Sequence, residues 1–281
     1  MNHRGSAREC TLNYSFAVGT GKSKRSSATN HKLGADLLSI FELVQVINLK
    51  ERRDRREQMA SELRRLGLTL GEPGVELIEA SRFADSAGFS TAGARGCFES
   101  HLRALRRAAE LGARSTLILE DDCDFANEIR TTLPAALGAL RSRTWAVFYG
   151  GYIRWSHERE QLDSPLTLAS PRDSFIGTHF IGLSSDAVKQ LVPYLTAMAA
   201  RPPGSPEGGP MHVDGAYDWF RAAHPHLQAW VANPALGHQR PSRSDVHLTI
   251  TVDRTPLVRD IISLTRRVRR GLGKLVYVRR A

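Results

Sequence analysis

The segment that most constrains this chain is a five-residue apolar run, residues 115–119 (Ser-Thr-Leu-Ile-Leu), which stops against Glu120, Asp121 and Asp122. A run this short, β-favouring and bounded by polar residues reads as a buried strand. Such a strand needs cover on both faces, which parallel sheets obtain from flanking helices. The upstream segments fit that demand. Residues 43–49 (LVQVINL) read as a first strand. Residues 52–66 read as a charged helix, with Met59, Leu63 and Leu66 at helical spacing and Gly67 at its C-terminal cap. A short strand follows at 75–79, then a Gly/Ala/Ser-rich loop at 82–93. A helix is expected over 95–111, with Phe98, Leu102, Leu105 and Ala109 on one face and Gly112 at its end. Strand–helix–strand–helix–strand alternation implies an α/β fold with a mostly parallel central sheet and helices on both faces.

Downstream, residues 145–149 read as a strand closed by Gly150-Gly151, and 152–173 as irregular. Residues 175–183 read as one strand, with Ser184 or Ser185 capping a helix to residue 198. A Pro/Gly loop spans 201–210, a helix 213–223, a strand 227–231 and a polar loop 233–245.

The net charge of +10 lies at the two ends. Residues 1–40 hold six basic and two acidic residues, and 253–281 hold nine and two, so residues 41–252 carry a net charge of −1. The chain therefore divides into a poorly ordered basic extension (1–40), a globular domain (41–252) and a basic amphipathic tail (253–281). A neutral domain argues against a nucleic-acid-reading core, and no nucleic-acid partner is expected. The competing class, a polyanion-binding protein, would have to work through its ends. Three scattered cysteines (Cys10, Cys97, Cys123) form no disulfide framework, and no Cys/His spacing resembles a zinc site. A cytoplasmic compartment is expected, with no membrane-spanning run. In the tail, Leu257, Ile261, Leu264 and Val268 fall at helical spacing beside Arg266, Arg267, Arg269 and Arg270. Such a helix suits peripheral association with an anionic inner-membrane leaflet.

Chemistry should sit where the acids are, because ligands of open α/β sheets bind outside the carboxyl ends of the strands. Adjacent carboxylates repel unless they share a cation. Magnesium-class ions are commonly held by one or two carboxylates together with substrate phosphates. The alternative is a solvated turn.

Four segments carry a family resemblance. They are Val46–Lys50 running into Arg52–Arg56, Gly96–Leu105 (GCFESHLRAL), Leu117–Asp122 (LILEDD), and the later Val213-Asp214, His238-Gln239-Arg240 and Ser244-Asp245-Val246. In this order, over residues 43–247, the chain resembles glycosyltransferase family 25, the lipooligosaccharide and lipopolysaccharide sugar transferases related to collagen galactosyltransferases. Gly93–Arg95 departs from the family pattern, which often has an acid before the Gly-Cys pair. The resemblance implies a GT-A-like, Rossmann-like sheet, a nucleotide-sugar donor (often UDP-galactose) and a divalent metal, usually Mn2+, with Mg2+ as the alternative. It also implies inverting transfer of a hexose to a surface-glycan acceptor, including lipid-linked ones. A transferase fold retained as an inactive scaffold is a further alternative, weighed against by the intact acids.

On this reading Asp122 is the first candidate metal ligand, with Asp121 or Glu120 completing the shell, His238 as a late ligand or a phosphate hydrogen-bond partner, and Asp124 as an alternate. Glu120 or Asp121 would orient the ribose. Asn48 is a candidate for the nucleotide base, and Arg52 and Arg55 for phosphate, whose geometry guanidinium matches. Ser100 and His101 would line the donor site, and Cys97 reads as a small core residue. Asp214, beginning a helix after the Pro/Gly loop, is the candidate base that deprotonates the acceptor hydroxyl, with Asp218 one turn later as its competitor.

Overall fold

The computed structural model describes residues 21–156 and 164–241, with side chains described from residue 30. Its elements run α1 (Gly21–Ile40), β1 (Leu43–Asn48), α2 (Arg53–Arg65), β2 (Val75–Glu79), α3 (Ala92–Glu110), β3 (Ser115–Glu120), β4 (Cys123–Phe125), α4 (Ile129–Arg141) and β5 (Val147–Gly151). They continue through β6 (Arg154–Trp155), β7 (Leu166–Ala169), β8 (Phe175–Ile176), β9 (Phe180–Ser184), α5 (Ser185–Ala200), α6 (Val213–Ala223), β10 (Ala229–Ala232) and β11 (Gly237–Gln239).

The central sheet has the order β2-β1-β3-β9-β5-β10-β7. Strands β2, β1, β3, β5 and β10 share one direction, while β9 and β7 run against their neighbours. The fold is thus α/β, with a mostly parallel sheet covered on both faces.

Strand alternation assigns side chains to the two layers. Leu43 and Ile47 of β1 and Ile118 of β3 pack in one core with Phe98, Leu102 and Leu105 of α3, Leu191 and Leu195 of α5, and Tyr217 and Phe220 of α6. Val44, Val46, Leu117 and Leu119 point the other way, to Leu33 and Leu37 of α1, Met59 and Leu63 of α2, and Leu133 and Leu137 of α4. Within the buried polar pair on these strands, the Thr116 hydroxyl donates to Gln45 Oε1 at 2.8 Å.

Several expectations are corrected. Residues 21–40, read as part of a poorly ordered extension, form α1, because Leu33 and Leu37 find an apolar layer to cover; residues 1–20 lie outside the described residues. Residues 129–141, to which the sequence reading assigns no element, form α4 despite Pro134, with Leu133, Leu137 and Leu140 buried on one stripe. The single strand expected over 175–183 is split into β8 and β9 by Gly177-Thr178-His179. The irregular stretch 152–173 contains β6 and β7, and the polar loop 233–245 contains β11. The tail 253–281 and the segment Ser244-Asp245-Val246 lie outside the described residues. No helix among the described residues is long and apolar enough to cross a membrane.

Candidate functional site

The carboxyl ends of β1, β2 and β3 open into a cleft of about 320 Å³, walled by the N-terminal half of α3 and closed at one side by β11. Alternation along β3 and beyond it sends the three acids to different partners. Glu120 points to the α3 layer, where its Oε1 accepts from the Thr178 hydroxyl at 3.0 Å and faces His101 Nε2 at 3.4 Å. Burial pushes the Glu120 carboxyl up, but His101, His179 and the Thr178 hydroxyl together hold it below the usual range. Asp121 points to the α2 layer. Asn48 Nδ2 donates to its Oδ2 at 2.7 Å, and Arg55 Nη1 to its Oδ1 at 3.1 Å. Both Asp121 oxygens are therefore engaged, and burial still raises its carboxyl.

Asp122 differs. Its Oδ2 receives only long bonds, from Arg55 at 3.4 Å and Gln239 at 3.3 Å, and its buried Oδ1 makes no hydrogen bond among the described residues. Burial, reinforced by the neighbouring Glu120 charge, pushes its carboxyl up to about 7, with Arg55 offsetting part of the cost. The acidic turn is held in place from outside. The Arg240 backbone N–H donates to the Asp122 carbonyl at 2.6 Å, and the Arg240 guanidinium grips Asp124 Oδ1 at 2.5–2.9 Å.

The other candidates separate accordingly. Arg55 is buried and turned inward to two carboxylates. Arg52 pairs with Asp54 at 3.0 Å, and its carbonyl accepts from Asn48 Nδ2. Asn48 lines the cleft as the clamp on Asp121. The Ser100 hydroxyl donates to the Gly96 carbonyl and accepts from Ser81 N at 2.8 Å, which binds the loop after β2 onto α3. Gly96 permits that approach: a Cβ there would stand 2.5 Å from the Ser81 carbonyl oxygen. His101 is fully buried, with Nδ1 3.2 Å from the Tyr217 hydroxyl of α6. His238 is exposed on β11 in register with Asp124, and it is the adjacent Gln239 that reaches Asp122.

Asp214 and Asp218 share α6 but not a setting. Asp218 pairs with buried Arg221 at 2.7 Å and accepts from Phe175 N; burial pushes it up to about 6 against the pull of Arg221. Asp214 accepts from Gly215 N at 2.8 Å and from Gly177 N at 3.3 Å. The loop that holds Asp214 through Gly177 thus holds Glu120 through Thr178. Gly177 has φ +92°, and a Cβ there would meet Ile153 N at 3.1 Å, so this link between α6 and β3 depends on glycine.

Sequence reasoning missed Thr178, Tyr217 and Gln239 as members of the site, and His179, buried at its side. A glycine followed by two polar residues inside an apolar strand was the available signal of a break.

No protein-family model and no curated protein matches the chain. Among solved structures it is similar to a glycosyltransferase involved in the glycosylation of the major capsid of PBCV-1, at 13% identity over 70% of this chain and 92% of that one, TM-score 0.43. It is also similar to UDP-glucose pyrophosphorylase complexed with UDP-glucose (9% identity, 74% and 77% covered, TM-score 0.38). A third similar structure is mannose-1-phosphate geranyltransferase from Thermus thermophilus (12%, 73% and 63%, TM-score 0.34). At these scores the likenesses carry no functional argument, which has to come from the cleft itself.

Proposed function

We propose that this chain is a metal-dependent glycosyltransferase that moves a hexose from a nucleotide-sugar donor to a surface-glycan acceptor. The observation that carries the reading is Asp122: a buried carboxylate at a strand end, with one oxygen unpartnered and its charge disfavoured by Glu120 and by burial. Such a group is costly unless a cation offsets it. Of Asp121 and Asp122, Asp122 alone has an oxygen without a hydrogen bond among the described residues, which supports it as the ligand, while Asn48 and Arg55 hold Asp121 as a positioning residue beside it. The residues suit Mn2+ or Mg2+, hard ions that take oxygen ligands. A bound ion would supply charge neutralisation for the departing diphosphate.

The remaining parts of the cleft suit the same donor. The N-terminus of α3, capped by Thr91 and with no acid in its first turn, borders the cleft through Ala92 and Gly93 and favours an anion there. Asp214 is the proposed base for the acceptor hydroxyl. Asp218, its competitor, suits the role less, because its carboxylate is tied to the buried Arg221 guanidinium as well as to Phe175 N. In-line, inverting transfer, which the sequence resemblance implies, needs such a base. Galactose as the sugar, UDP as the carrier and a lipooligosaccharide or lipopolysaccharide acceptor at the inner membrane complete the proposal; these rest on the sequence resemblance.

Thermal unfolding with UDP-, GDP- and CMP-sugars tests the reading. One donor is expected to raise the midpoint only when Mn2+ is present, and Asp122→Asn to abolish that rise. A folded chain that binds no nucleotide sugar, yet binds nucleic acid with steep salt dependence, would favour the polyanion reading instead.

A further inference from the structure

Besides Asp122, the cleft holds a second set of donor atoms of different chemistry. Cys97 and His101 stand one turn apart on α3, and Glu120 reaches them from the end of β3. Cys97 Sγ, an imidazole nitrogen of His101 and a Glu120 carboxylate oxygen all lie within 4.8 Å of one another. We propose that Cys97, His101 and Glu120 form a three-ligand site for a zinc-class divalent cation, distinct from the hard-ion ligand Asp122. The site stands on these three side chains and does not rest on the transferase reading.

Geometry supports it first. Zinc bonds to nitrogen and oxygen of about 2.1 Å make a tetrahedral edge of about 3.4 Å. The His101 Nε2 to Glu120 Oε1 separation is 3.4 Å. His101 is fully buried, and its Nε2 faces Glu120 Oε1 at 3.4 Å without meeting the geometry of a hydrogen bond to any partner among the described residues. An imidazole nitrogen left this way in the interior is costly unless it serves a ligand.

The surroundings are those of a ligand shell. Ligating imidazoles almost always engage their second nitrogen, which fixes the ring and its tautomer. Here Nδ1 of His101 is 3.2 Å from the Tyr217 hydroxyl. The Glu120 carboxylate is fixed in turn by the Thr178 hydroxyl at 3.0 Å. The donor set of sulfur, nitrogen and oxygen is one that zinc accepts and that magnesium does not favour. Burial keeps the Cys97 thiol protonated in the metal-free chain, so binding releases that proton to solvent. Three protein ligands leave one coordination position, and all three residues line the open cleft. That position is accessible to water or to an anionic oxygen. A Cys-x-x-x-His pair with a distant Glu has no zinc-site spacing in sequence; only the fold assembles it.

The test uses the tag-free full-length chain, titrated with Zn2+ against a chromogenic chelator and with Co2+ as a spectroscopic probe. One equivalent of zinc and a thiolate-to-cobalt charge-transfer band are expected. Cys97→Ala, confirmed folded by circular dichroism, should lose the band and weaken zinc binding by well over tenfold, more than the tenfold or so that an outer-shell change brings. Tyr217→Phe should weaken binding about tenfold with the band retained. Asp122→Asn should retain the band, because it removes none of the three proposed ligands. A folded wild-type chain with no thiolate band, unchanged binding in Cys97→Ala, or loss of the band in Asp122→Asn would each overturn the proposal. Manganese-dependent nucleotide-sugar binding is read separately, so failure of one proposal leaves the other standing.

Discussion

Asp121 and Asp122 are identical side chains one residue apart, and their partners make them different groups. Asp121 spends both oxygens on Asn48 and Arg55, whereas Asp122 keeps one oxygen unpartnered and a carboxyl pushed up to about 7. A raised carboxyl pKa means the folded state holds its proton where the unfolded state has lost it. Stability therefore falls as pH rises from about 4 toward 7, and the cost is fully present above that. Asp122→Asn is expected to stabilise the metal-free chain by about 1–2 kcal/mol at pH 8 and by almost nothing near pH 4, read from urea unfolding at the two values. The same substitution should remove manganese-dependent donor binding, so stability and ligand binding move in opposite directions. The sequence marks the three acids as a cluster at a strand end. It does not tell Asp122 from Asp121, because that depends on which oxygens distant residues reach.

At the scale of elements, the site is joined by short connections. The loop between β8 and β9 holds Asp214 by one residue and Glu120 by the next, and it needs a positive φ at Gly177. Gly177→Ala is expected to cost about 1–3 kcal/mol, the strain of a side chain in the left-handed region. It should also lower kcat more than it raises KM, since it displaces the proposed base relative to the cleft; steady-state kinetics and thermal unfolding check both parts. Helix α1 makes a second case. Its sequence holds four serines and two glycines, poor material for an isolated helix, and tertiary burial of Leu33 and Leu37 stabilises it instead. Leu37→Ala should destabilise the chain by about 2–4 kcal/mol, measured by chemical denaturation. A chain begun at residue 41, where composition suggests the domain starts, would lack this cover altogether. Helix α4 was equally hidden, since Pro134 stands inside it, on its exposed face.

Across the whole molecule, one sheet separates two apolar layers, and the cleft lies at the end of the strands that border both. Strands β1, β3 and β9 are paired on both edges, while β2 and β7 end the sheet and leave Leu77 and Leu168 partly exposed. Native-state amide exchange is therefore expected to be slowest in β1, β3 and β9 and faster by more than tenfold in β2 and β7, because edge amides open without global unfolding. Uniform protection across all five strands would contradict this layering. By itself the sequence determined the α/β alternation, the buried strand and the acids at its end, because periodicity and a sharp change in polarity are local properties. Only the tertiary structure decided that Asp121 is clamped while Asp122 is not. The same holds for Gln239 reaching Asp122, and for Cys97, His101 and Glu120 meeting. Each depends on which strand or helix lies beside another, a choice made by packing between residues far apart in the chain.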